Sequence, residues 1–119
     1  MIFAFILALL IVAASDLYDV TMTEKGIKKG VSVEAFTWLV GDKPSAVALY
    51  LRDWLIIAFA SIPAAVGLVL HSPIFWGSLT AYAVLAARHI NGGLQWRTLL
   101  NGGTLKPAAS TWYGKLFTL

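Results

Sequence analysis

The chain contains no cysteine, which excludes disulfides, thiolate metal sites and cysteine nucleophiles. Charge is scarce as well: Asp, Glu, Lys and Arg make up 13% of the residues, against about 25% in an ordinary soluble domain. There is no HExxH pair, no glycine-rich phosphate loop and no nucleophile elbow, so the commonest metalloprotease, nucleotide-binding and hydrolase signatures are missing. The chain therefore reads as a non-enzyme. His71 and His89 border apolar runs rather than lying inside them, and no pigment, haem or other cofactor follows from them.

What is abundant is apolar surface. Hydrophobic residues make up 59% of 119 positions and the mean hydropathy is +0.77. A single domain this small buries too little of its chain to hide that much apolar area from water. Lipid is the expected solvent. The net charge of +3 comes from scattered basic residues, so membrane topology accounts for it better than nucleic acid does.

The expected fold is an all-α integral membrane protein, one membrane domain over 1–119, with three transmembrane helices. The first span runs from about 2 to 23. Its apolar run Ile2–Ala14 is too short alone for about 30 Å of hydrocarbon, so the helix must continue past Asp16 and Asp19. No Lys or Arg precedes that run, unlike in a secretory signal, and it is expected to be retained. The second span covers about 47–70, starting at Asp42-Lys43-Pro44-Ser45 with Asp42 as cap and kinked at Pro63. The third covers about 74–89 and is closed by Arg88 and His89. Asn91-Gly92-Gly93 and Asn101-Gly102-Gly103 then read as turns. Interfacial segments are expected at about 31–40, in the first connection, and at about 94–117, in the tail.

All nine Lys and Arg residues fall on the side of the first connection and the tail, or at its boundary. This bias predicts a bacterial inner-membrane protein with its N-terminus outside and its C-terminus in the cytoplasm.

Three groups of residues are candidates for function. Asp16 and Asp19 share a helix face at the depth where the topology also places Arg52, Asp53, Arg88 and His89. Charges at that depth form either a salt-bridge collar or a proton or cation path. The small residues Ala60, Ala64 and Gly67 on the second span, with Gly77 and Ala81 on the third, let helix backbones approach closely. Lys25, Lys28 and Lys29 suit anionic headgroups, and Trp38, Trp54, Trp76, Trp96 and Trp112 suit interface anchoring.

From Asp19 to Trp38 the sequence reads DVTMTEKGIKKGVSVEAFTW. An Asp/Thr helix end, two glycines and a Glu-Ala pair resemble an uncharacterised family of small bacterial membrane proteins with a D…T…G…G..EANP pattern. The matching positions are Asp16 or Asp19, Thr23, Gly26, Gly30, Glu34 and Ala35. Phe36-Thr37 stands where that family has Asn-Pro. The resemblance covers about a fifth of the chain and implies no activity.

Short length, missing catalytic motifs, small-residue faces and an aromatic tail point first to a non-catalytic accessory subunit of a larger membrane complex, partnered by lipids and other subunits. The alternatives are a homo-oligomeric proton- or ion-handling channel or transporter, and a holin-like pore-former.

Overall fold

The computed structural model describes residues 1–32, 34 and 37–105. Among them the secondary structure is entirely helical: α1 is Ile2–Lys28, α2 is Ala46–Val69 and α3 is Ile74–Leu100. The expected all-α architecture with three helices is what forms. Two of the helices, α1 and α2, are long and apolar enough to cross a membrane, whereas α3 is not. The polar residues in the second half of α3 are the reason: Arg88, His89, Asn91, Gln95 and Arg97 all lie within it.

Several boundaries differ from the sequence reading. α1 continues to Lys28, so Lys25 and Lys28 sit in its last turn, where cations favour the negative end of the helix dipole. The cap of α2 is Ser45 rather than Asp42: its hydroxyl accepts from the Ala48 amide at 3.2 Å. α2 runs through Pro63, which lies on its exposed side. The largest difference is in α3, which passes through Asn91-Gly92-Gly93 without a break and ends at Leu100. The expected interfacial segment at 94–117 is therefore helix up to Leu100, and residues 106–117 of it lie outside the described residues.

The three helices end alike. In each, an amide closes back five residues to a carbonyl: Val31 to Gly26, Ser72 to Gly67 and Gly103 to Thr98. Such an ending needs one residue with left-handed backbone, and Gly30 and Gly102 supply it for α1 and α3. At the end of α2 the position is His71, with φ +49. A side chain is strained there, so His71→Gly is expected to stabilise the fold by roughly 0.5–1 kcal/mol. Thermal unfolding in detergent reads this directly, as a higher midpoint.

α3 is the central helix, packing on both α1 and α2, while α1 and α2 touch each other less. α1 and α3 run in parallel with a constant offset of seventy residues. Phe5 meets Phe75, with ring centroids 6.5 Å apart; Val12 and Tyr82 share the core; Asp19 bonds His89; Gly26 faces Trp96. These positions recur every seven residues on both helices, the spacing that keeps one seam of two helices in contact. Glycines let the seam close. A Cβ on Gly26 would fall into the Trp96 ring, and one on Gly93 would fall into the Tyr18 ring.

Toward the α2–α3 turn the seam is apolar. Val12, Ile57, Ala64, Tyr82, Leu85 and Ala86 form a core cluster, with Phe5, Leu9, Ala60 and Leu79 packed against it. The Tyr82 hydroxyl finds a hydrogen-bond partner in Ser61. Gly67 lies against the Phe75 backbone at 2.5 Å from where its Cβ would stand. Ala60, Ala64 and Gly67 thus pack as expected. Gly77 and Ala81 do not: both are exposed, and nothing lies within 4 Å of a Cβ placed on Gly77.

Toward the other end the interior turns polar. Ser15, Asp16, Asp19, Thr23, Glu34, Arg52, Asp53, Arg88, His89, Asn91 and Gln95 are all buried, while Phe3, Leu7, Leu10, Leu51, Phe59 and Val69 lie exposed.

Candidate functional site

The polar interior is built by all three helices. Asp16 and Asp19 stand three residues apart on α1, so one face presents both carboxyls inward. Arg52 and Asp53 come from the second turn of α2, and Arg88 and His89 from the middle of α3. The structure brings all six expected residues into one buried cluster.

Its geometry starts at His89. Nδ1 of the imidazole lies 2.9 Å from Asp19 Oδ2 and 3.9 Å from Asp16 Oδ1. The Thr23 hydroxyl donates to Asp19 Oδ1 at 3.5 Å, four residues along the same helix. Gly92 is what admits the Asp19 carboxylate against α3, since a Cβ there would stand 2.8 Å from Oδ1. We expect Gly92→Ala to lengthen the Asp19–His89 contact and cost about 1–2 kcal/mol, seen as a lower unfolding midpoint.

Across the seam, Arg52 donates from Nε to Asp53 Oδ1 at 2.8 Å, with both side chains fully enclosed. Asp16, Asp53 and His89 each bring one potential ligand atom to within 4.8 Å of the others. Arg88 lies within electrostatic reach of Asp19, Asp53 and Glu34. Asp16 differs from the rest. It is 0% exposed, and neither of its oxygens has a hydrogen-bond partner among the described residues. Asp53 Oδ2 is in the same condition.

Buried carboxylates normally recruit donors, because an uncompensated one costs several kcal/mol. Here four carboxylates, those of Asp16, Asp19, Asp53 and Glu34, meet the two guanidiniums of Arg52 and Arg88. The acidic groups outnumber the guanidiniums by two. The arrangement is chemically suited to taking up cations.

A recess of about 230 Å³ is lined by Leu39, Val40, Ala48, Leu51, Arg52 and Leu55.

The remaining expected positions fall as follows. Lys28 and Lys29 are exposed at the end of α1, where Lys28 pairs with Glu24 at 2.7 Å, and Lys25 is exposed beside them. Trp38, Trp54 and Trp76 are exposed, as anchors require. Trp96 is not an anchor: it is 6% exposed, its ring laid across Gly26. Trp112 lies outside the described residues. The expected interfacial stretch at 31–40 is non-helical where described, closing a turn from Thr37 to Gly41. Glu34, Asn91 and Gln95 were not singled out for the cluster. Asn91 and Gln95 lie on the Arg88 side of α3, three and seven residues on, a signal hidden by reading Asn91-Gly92-Gly93 as a turn.

Comparison with family models, curated proteins and solved structures finds no match to this chain.

Proposed function

We propose that the chain is a three-helix membrane protein whose buried carboxylate cluster binds a cation and carries it between the membrane interior and the side of the first connection. The observation that carries this reading is Asp16, fully buried among other acids with no donor to either oxygen.

The outward apolar surface supports the membrane setting. The apolar windows of α1 and α2 are only 22% and 28% buried, so their side chains face outward, as lipid contact requires. In this reading α3 is the third span despite its composition, because Arg88, His89, Asn91 and Gln95 are buried in the bundle and the exposed Arg97 lies in its last turn. Asp16 lies fourteen residues into α1, about 21 Å along the helix axis, within a hydrocarbon layer about 30 Å thick. The basic residues at the end holding the first connection support an N-terminus-out, C-terminus-in orientation in a bacterial inner membrane. The cluster is complete within one chain, so the reading does not depend on an oligomer.

The test is cation flux. Purified protein reconstituted into liposomes is expected to dissipate an imposed proton or metal-ion gradient faster than empty liposomes. Indistinguishable rates would end the carrier reading.

One observation favours a second reading, an accessory subunit of a membrane complex. Gly77 and Ala81 present a small-residue strip on the outside of α3, the kind of surface against which another helix packs closely. Gly77→Leu and Ala81→Leu are expected to leave the chain's own stability within about 0.5 kcal/mol. Loss of co-purifying membrane proteins from these variants, as seen on native gels, would favour the subunit reading.

A further inference from the structure

We infer that Asp16, Asp53 and His89 form a binding site for a divalent first-row metal ion. The inference names the cation of the carrier reading proposed above and rests on the same cluster.

Three observations converge. Asp16, Asp53 and His89 come from three different helices, yet one ligand atom from each lies within 4.8 Å of the other two. All three are buried, at 0%, 2% and 1% exposure. Both Asp16 oxygens and Asp53 Oδ2 lack hydrogen-bond partners among the described residues, so the donor atoms aimed into the site are available to an ion.

The donor set selects the metal. Calcium and magnesium take oxygen ligands, whereas imidazole with carboxylates suits zinc, iron, manganese or cobalt. Ligand bonds of about 2.1 Å around a tetrahedral ion put donor atoms roughly 3.4 Å apart. Ligand atoms spaced up to 4.8 Å apart would close by about 1.4 Å around such an ion. Three protein ligands leave a coordination position open, which suits an ion that must be exchanged more than one that holds a fold together.

The composition agrees: four buried carboxyl groups face two guanidiniums, so a dication entering the site can replace protons the acids would otherwise hold. Asp19 Oδ2 lies 2.9 Å from His89 Nδ1, the nitrogen that also stands 3.9 Å from Asp16 Oδ1; coordination through the other nitrogen, Nε2, keeps Asp19 outside the ligand set as a supporting carboxylate.

The test uses tag-free protein in detergent, stripped with a chelator and titrated with Co²⁺ and Zn²⁺. Expected are one ion bound per chain by calorimetry and a visible Co²⁺ absorption spectrum of low coordination number. Asp53→Asn and His89→Gln should abolish binding, while Asp19→Asn weakens it by the roughly 10–100-fold typical of a lost supporting carboxylate. Circular dichroism checks that each variant folds. Folded wild-type protein that binds neither ion would overturn the inference, as would unchanged affinity in Asp53→Asn. Metal binding without flux keeps the site and removes the carrier reading. Proton flux without metal binding does the opposite.

Discussion

Arg52→Met is expected to destabilise the folded chain by about 3–5 kcal/mol, the cost of removing one member of a fully buried ion pair. Arg52 is 4% exposed and donates to Asp53 at 2.8 Å, beside a group already rich in carboxylates. Methionine fills a similar volume, so the loss is electrostatic rather than a cavity. The same reasoning gives Asp16→Asn a different sign. It removes a charge from an acid-rich cluster and is expected to leave stability unchanged or higher. Chemical denaturation in detergent reads both, and the opposite signs are the diagnostic result. Equal destabilisation by the two variants would mean that Asp16 is held by contacts of its own.

The second large effect is steric. Gly26→Leu is expected to cost about 3 kcal/mol, at the upper end for overpacking, because the new side chain occupies the space of the Trp96 ring. Trp96 is only 6% exposed, so its ring can move aside only by displacing what packs against it. The damage spreads along the seam, since Gly26–Trp96 is one heptad from Asp19–His89. Trp96 fluorescence should shift toward that of an exposed indole. Gly77→Leu, on the outside of α3, is the matched control and should shift nothing.

The parts of this fold that were legible in the sequence are those set by composition and periodicity. Apolar runs located the starts of all three helices, and the turn at His71–Pro73 fell where a proline follows a short polar break. The six charged residues were also legible as a group, because helix rise alone puts them at one depth. Asn91-Gly92-Gly93 was misread because its turn propensity is local, whereas its use here is tertiary: Gly92 and Gly93 admit Asp19 and Tyr18 to the α3 backbone. Trp96 was misplaced for the same reason. Tryptophans near an expected helix end suit an interface, but this one faces a glycine one helix away. The parallel seam itself was written in the sequence as Phe5, Val12, Asp19 and Gly26 against Phe75, Tyr82, His89 and Trp96. A sevenfold spacing on two separate segments signals their pairing only once both are taken as helices of full length.

The exposed position of Gly77 and Ala81 could not be read from small-residue spacing. That pattern marks a surface fit for close packing without saying which helix takes it.

The most direct test of the account is cation flux into liposomes carrying wild-type protein, Asp16→Asn or Ala81→Leu, each shown by circular dichroism to be folded. If the buried cluster carries the ion, wild type and Ala81→Leu transport at similar rates and Asp16→Asn falls to the rate of empty liposomes. Undiminished flux through folded Asp16→Asn would contradict it.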